Sequence, residues 1–311
     1  MNYIISLKEP ITKQKYLKSQ NIETYWIKGI DGRNLNKMEI SKHFTELYTD
    51  YGPRGSIGCA MSHLKTWKTF LETKDDYCII FEDDVVVKNN FVNRLNDIKK
   101  YIPKDYDILY LGSFGGIKKN TFFSIIFDIL QMTNNNYTRI NKYISKPKVC
   151  LGNHAYMLSK KGAKKLIKLL DGKIHNHLDF CIQDLKSRNL INVYTVKTRL
   201  AYQTSTNNSI SLNVKNTHPL LLNKMFSEIY LDKMVKASYI SSVSILQLGH
   251  LHITPMTLLF FIFGGILKIL KLSIQEIIQI YIILSINDII NKNFVYFIFH
   301  LFFLLAIPLI S

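Results

Sequence analysis

Cys78-Ile79-Ile80-Phe81-Glu82-Asp83-Asp84-Val85 is an apolar run of strand composition that ends in three consecutive carboxylates. Side chains alternate along a strand, so Glu82 and Asp84 are expected on one side and Asp83 on the other. Like charges held this close repel unless a cation or hydrogen-bond donors offset them. Open α/β sheets bind ligands beyond the carboxyl ends of their strands, where these residues fall. Oxygen donors suit hard ions such as Mg²⁺ or Mn²⁺, which commonly also hold substrate phosphates. The alternative is a solvated acidic turn whose carboxylates offset the dipole of a following helix. The tripeptide alone leaves both readings open.

Outward from this segment, strands and helices alternate over residues 1–250. Tyr3–Leu7 and Thr24–Ile30 read as strands, the second ended by Asp31-Gly32. Gly52-Pro53-Arg54-Gly55 breaks the chain, and Ser56 is placed to cap a helix running to about Glu72. Ile57, Met61, Leu64 and Leu71 give that helix an apolar face. After the Tyr77–Phe81 strand come a helix from about Asn90 to Lys100 and a strand over Ile108–Leu111. A helix over Lys160–Leu170 and a strand over Asn192–Val196 follow, while the polar stretch Thr133–Lys148 reads as a loop or insertion. Such alternation predicts an α/β fold, a mostly parallel sheet covered by helices on both faces.

The segment ahead of the acidic strand is Gly55-Ser56-Ile57-Gly58-Cys59-Ala60-Met61-Ser62-His63-Leu64-Lys65-Thr66-Trp67. Together with Phe81-Glu82-Asp83-Asp84-Val85 it resembles glycosyltransferase family 25, which includes lipopolysaccharide-type and procollagen galactosyltransferases. That family pairs a G-x-I-G-C-x-x-S-H-x-x-x-W helix with a hydrophobic strand ending in E-D-D. Weaker matches follow in the same order: Tyr3 to Lys8, Ile30-Asp31-Gly32, Asp107 to Gly112, Gly152 to Tyr156, Ser159 to Ala163, and Asp179. The likeness covers roughly residues 1–205. One departure is that Glu9 to Lys15 contains no Arg where the family has an Arg-containing basic stretch. The hydrophobic tail is a second departure.

The resemblance implies a GT-A-like fold, a UDP-sugar donor, a divalent cation (Mn²⁺ or Mg²⁺), and inverting transfer of galactose or glucose. It assigns Glu82 and Asp84 to the metal, Asp83 to the donor's ribose or sugar, and Asp179 to the base that takes the acceptor's proton. Ser6, Leu7, Asp31, Ser62 and His63 are its further donor contacts. Each has a plainer alternative. Asp179 equally suits a helix cap, Asp31 an Asp-Gly turn, Ser62 and His63 buried structural roles, and Trp67 the core. His175 and His177 lack a further ligand set for zinc. The acceptor is a glycan, a lipid-linked glycan or a protein hydroxyl. Rival readings are another carboxylate-metal enzyme, such as a nuclease or phosphodiesterase, an inactive transferase, or a basic membrane- or nucleic-acid-binding protein. No nucleic-acid-binding motif is recognised, and no nucleic-acid partner is expected.

With 47% hydrophobic residues among 311, intrinsic disorder is excluded as the dominant state. Cys59, Cys78, Cys150 and Cys181 are too sparse for a disulfide scaffold and read as small buried hydrophobes in a reducing compartment. The net charge of +17 suits polyanionic partners. It lies almost wholly in residues 1–250, because residues 251–311 hold only Lys268, Lys271, Lys292, Glu276 and Asp288. The boundary expected near residue 250 separates a catalytic domain from a hydrophobic helical tail. That tail has apolar blocks at Met256–Leu267, Ile274–Ile286 and Phe294–Ile310. The last would span about 25 Å as a helix, short of the roughly 30 Å hydrocarbon core. Membrane association through 251–311 is expected, with the basic domain on the cytoplasmic side because the opening apolar run is too short for a signal peptide. The sequons at Asn136 and Asn207 would matter only in a secretory lumen.

Overall fold

A computed structural model describes residues 1–114, 137–204, 219–228, 230–232, 235–290 and 294–310. The chain divides into two compact units, Met1–Ser205 and Thr206–Ser311. The composition change at residue 250 lies inside the second. Asn136 and the Asn207 sequon fall outside the described residues.

In the first unit, β1 (Asn2–Ser6), β2 (Tyr25–Lys28), β3 (Tyr77–Glu82), β5 (Ile108–Phe114), β6 (Thr138–Arg139), β7 (Ile144–Lys146), β8 (Leu151–Ser159) and β9 (Val193–Val196) form one sheet, ordered β2-β1-β3-β8-β5-β9-β7-β6. β4 (Val85–Val87) instead pairs antiparallel with β10 (Ala201–Gln203) in a separate ribbon. The expectation of a mostly parallel sheet is corrected. β2/β1, β1/β3 and β5/β9 are parallel, but β8 runs antiparallel to both β3 and β5, and β7 antiparallel to β9 and β6. β7 and β8, joined through residues 147–150, therefore share one direction and run against β3, β5 and β9. Residues 137–148, read as loop, supply β6 and β7, and the Asn141 side chain shapes their turn by accepting from the Tyr143 and Ile144 N–H groups.

Helices cover both faces. Period-two alternation sends Cys78 and Ile80 of β3 into one core with Ile57, Leu64, Trp67, Phe70, Tyr156 and Leu166. Ile79 and Phe81 enter the other with Leu17, Phe91, Leu95 and Met157. The first face is built on α4 (Arg54–Leu71), which follows α1 (Ile11–Ser19), α2 (Lys37–Ser41) and α3 (Glu46–Tyr51). α5 (Phe91–Lys99) belongs to the second face; α6 (Lys160–Leu170) and α7 (Leu178–Ser187) join α4. α4 starts two residues ahead of Ser56, which is buried inside it and bonds Tyr48 Oη rather than capping. Ile57 and Leu64 face its core, while Met61 and Leu71 lie partly buried at the edge. Glycine lets α4 approach the end of β2: a Cβ on Gly58 would stand 2.4 Å from Ile30 O, and one on Gly32 1.9 Å from Arg54 O.

In the second unit the three apolar blocks form helices: α10 (Pro255–Ile269), α11 (Ile274–Leu284), and α13 (Phe294–Ile310) after α12 (Ile286–Ile290), following α8 (Leu220–Ser227) and α9 (Ala237–Ser241). Thr254 with Thr257, and Ser273 with Glu276, form capping boxes at the first two. Met256, Phe260, Leu267, Ile277, Tyr281 and Leu304 make their shared core. Ile262, Ile269, Ile283, Ile290, Val295, Ile298 and Phe302 are left exposed. Among the described residues, no helix is long and apolar enough to cross a membrane.

Candidate active site

The strand β3 ends at Glu82, and Asp83-Asp84 form a turn before β4. The alternation expected of the three carboxylates therefore stops at Glu82, and each takes a different partner. Glu82 follows Cys78 and Ile80 in parity and emerges toward α4, where its Oε1 lies 3.1 Å from His63 Nε2 and 4.0 Å from Cys59 Sγ. Exposed Asp83 accepts a 2.5 Å hydrogen bond from Ser6 Oγ at the end of β1. Asp84 accepts from Gln203 Nε2 at 2.8 Å, across the β4/β10 ribbon. Lys13, on α1, donates to Val85 O at 2.6 Å. Burial pulls its ammonium down, while the Asp84 and Asp83 charges push the other way. It lies in the Glu9–Lys15 stretch that lacks Arg, and it supplies a cation there.

Behind Glu82, His63 Nδ1 lies 2.8 Å from Tyr156 Oη, to which Trp67 Nε1 also donates at 2.8 Å. Burial pushes the Glu82 carboxyl up, but His63, chiefly through its hydrogen bond, and His154 pull it below the usual range on balance. In the β3/β8 register Phe81 faces Ala155, which brings His154 alongside Glu82. His154 is 2% exposed, and burial lowers its pKa to about 4.

Asp179 sits in the first turn of α7, accepting from Gly152 N–H at 3.1 Å and Phe180 N–H at 2.9 Å. Burial raises its carboxyl above the ordinary value and the nearby Glu82 charge adds to this, outweighing His177 and the two backbone donors. Asp31 caps a short 3₁₀ turn (Gly32–Asn34) and is gripped by Arg33, whose hydrogen bonds hold its carboxyl below the usual value. Ser62 donates to Gly58 O and accepts from Ile30 N–H, so it ties α4 to the end of β2. Leu7 is 42% exposed just past β1. Thus Glu82, Asp83, Ser6 and, through its charge, Asp179 converge on the strand end, whereas buried Ser62 and His63 stand behind it. Lys165, on α6, donates to Asp107 at 2.6 Å.

Lys13, Cys59, Tyr156, His154 and Gln203 are site residues that sequence reasoning did not single out. Cys59, His154 and Tyr156 fall inside the quoted motifs and Lys13 inside the stretch that lacks Arg, whereas Gln203 belongs to none of them. Oxygen donors at the strand end, together with the mutual repulsion of Glu82 and Asp179, fit a hard divalent cation. Cys59 Sγ, His63 Nε2 and a Glu82 oxygen also lie within 4.8 Å of one another. Burial, with the Glu82 charge adding to it, pushes the Cys59 thiol well above its ordinary range.

Residues 1–182 match the model of glycosyltransferase family 25, described as LPS biosynthesis protein. Procollagen galactosyltransferase 2 of Mus musculus is 28% identical over 31% of this chain and 17% of its own length. "Inactive glycosyltransferase 25 family member 3" of Mus musculus is 29% identical over 35% of this chain and 21% of its own. A Haemophilus influenzae protein named "Putative glycosyltransferase" is 29% identical over 55% of this chain and 58% of its own. The chain therefore spans about a fifth of the mouse relatives and less than two thirds of the bacterial one. The crystal structure of A197 from STIV aligns at TM-score 0.34 and 13% identity, over 65% of this chain and 83% of that one, a likeness too loose to argue from.

Proposed function

The chain belongs to glycosyltransferase family 25, and from that premise we propose that it moves a hexose, galactose or glucose, from a UDP-sugar to a hydroxyl of a glycan, lipid-linked or protein acceptor. The observation that carries this reading is the run of Glu82, Asp83 and Asp84 at the carboxyl end of β3, each held by its own partner, with Ser6 and Lys13 supporting the turn.

Glycosyl transfer to a hydroxyl leaves a nucleoside diphosphate on which negative charge accumulates. A divalent cation, Mn²⁺ or Mg²⁺, held by Glu82 and Asp84 would offset that charge without a proton donor. The rest is the work of this chain's own side chains. His63 holds Glu82 from behind, and Gln203 fixes Asp84 on the ribbon. Asp83, oriented by Ser6, faces outward for the donor's ribose or sugar hydroxyls. Asp179 takes the acceptor hydroxyl's proton in an inverting displacement. Its raised carboxyl is a stronger base than a free aspartate, and two backbone N–H groups fix its direction.

Membrane association belongs to the same proposal. Helices that leave Ile262, Ile269, Ile283, Ile298 and Phe302 exposed suit an in-plane seat in the headgroup region, facing the cytoplasm. The likeness to a relative named inactive makes turnover the primary test. The full chain in detergent is screened for Mn²⁺-dependent release of UDP from UDP-galactose and UDP-glucose. Release from one donor, abolished in Asp84→Asn, is the expected result. Silence with every donor, with no UDP binding, overturns the reading in favour of an inactive transferase.

A further inference from the structure

Four buried or half-buried side chains, drawn from α4, β8 and β3, form a continuous hydrogen-bonded line. Trp67 is fully buried, and His63 and Tyr156 are each 1% exposed. Their spacing follows from sequence. His63 and Trp67 are four residues apart, hence on one face of α4. Tyr156 lies opposite Ile80 in the β3/β8 register, so it shares a sheet face with Ile80 and Glu82. His63 meets that face with one ring nitrogen on each strand: Nδ1 at 2.8 Å from Tyr156 Oη and Nε2 at 3.1 Å from Glu82 Oε1.

The chemistry of the four groups gives the line one direction. An indole N–H can only donate, so at 2.8 Å Trp67 gives its proton to the Tyr156 oxygen. The phenol hydroxyl then needs an acceptor of its own, and His63 Nδ1 is the one it has. Burial pushes Tyr156 well above its ordinary value, so the hydroxyl keeps its proton to give. An Nδ1 that accepts is a bare lone pair. The ring's proton therefore sits on Nε2, directed at the Glu82 carboxylate, which can only accept while ionised. Reversing the His63–Tyr156 link would leave the phenol proton with no acceptor, and reversing the His63–Glu82 link would set a bare ring nitrogen against a carboxylate, a loss of about 1–3 kcal/mol per orphaned group.

We infer that Trp67, Tyr156 and His63 form a one-way hydrogen-bond relay that locks His63 as the Nε2–H tautomer, making His63 the positioning residue that holds Glu82 for the transfer reaction. At 1% exposure behind the strand end, His63 is placed to act through Glu82. The catalytic half of this inference rests on the transferase reading, whereas the tautomer half does not. The relay also gives a physical reason for the S-H-x-x-x-W portion of the helix motif: the His and Trp must stand one turn apart to share a single tyrosine hydroxyl.

The test uses the full chain labelled with ¹⁵N-histidine, with the His63 resonances identified by their loss in His63→Gln. Long-range ¹⁵N–¹H spectra report which ring nitrogen carries the proton. The expected signature is a protonated Nε2 and a bare Nδ1. A protonated Nδ1 in the wild type, alone or with Nε2, overturns the relay whatever the enzyme does. For the positioning role, UDP release is compared in His63→Leu, which removes the donor, and His63→Gln, whose amide N–H can replace it. A loss of about 10- to 100-fold in kcat/KM for Leu, mostly recovered by Gln, is expected for a hydrogen bond to a charged group. Equal losses in the two variants, with unchanged melting temperatures, refute the positioning role. If Leu does not fold, failure of Gln to retain more activity than Tyr156→Phe refutes it instead. Wild-type protein inactive on every donor, yet showing the expected tautomer, would sink the transferase reading and leave the relay standing.

Discussion

Replacing Gly58 by Ala tests how α4 is seated against the end of β2. The added methyl would stand 2.4 Å from Ile30 O and 2.6 Å from Gly32 N. Both obstacles are backbone, so no side chain can swing aside, and the seam is pinned by the Ser62 hydrogen bond to Ile30 N–H. Relief requires α4 to back away from the Ile30–Gly32 turn. Overpacking of a well-packed site costs typically 1–3 kcal/mol, and two backbone clashes put this one near ~3. Alanine returns about 1 kcal/mol of helix propensity. The net loss is about 2 kcal/mol, equivalent to roughly 4–8 °C for a unit of this size. Urea denaturation followed by tryptophan fluorescence reads this unit directly, because Trp26 and Trp67 are the two tryptophans and both lie in it. Gly265→Ala on α10 is the contrast. There the new methyl meets only the end of the Ile307 side chain at 3.0 Å, and propensity should make the change neutral or stabilising. Gly58→Ala as stable as wild type would refute the close-approach argument.

Three further outcomes are expected. His154 has a folded pKa of about 4, below the ordinary 6.5, so between those values the unfolded chain binds the extra proton. Stability should therefore fall by about 3 kcal/mol as pH drops from 6.5 to 4. Denaturation at a series of pH values should show a shallower fall in His154→Gln. Asp179→Asn should cut transfer by about 10²- to 10⁴-fold while leaving UDP binding intact, measured by turnover and calorimetry side by side. In the second unit, Ile298→Asp with Phe302→Asp should reduce co-flotation of the full chain with anionic phosphatidylserine vesicles. Unchanged flotation would remove the proposed seat.

The two ends of β3 show why part of this site was legible in sequence and part was not. The approach to Glu82 is regular, with apolar residues feeding both cores alternately, so its strand and its position at a sheet end were readable from residue type alone. Past Glu82 the chain turns, and a local pattern cannot anticipate that Asp83 meets Ser6, or that Asp84 meets Gln203 more than a hundred residues away. β8 was not read as a strand because Asn153 and His154 interrupt its apolar run, yet eight of its nine residues are buried. It lies between β3 and β5 and runs against both, so overlooking it also made the sheet look parallel. Tyr156 is invisible as a site residue without that register. His63 reads as an ordinary helical histidine until the strand opposite it is known.

Calorimetric titration of UDP into the full chain, with and without Mn²⁺, tests the central claim most directly. The acidic end of β3 should bind UDP only with the metal, and Asp84→Asn, with an unchanged melting temperature, should lose that binding. UDP binding that ignores Mn²⁺, or that survives intact in Asp84→Asn, would contradict the assignment of this strand end as the donor site.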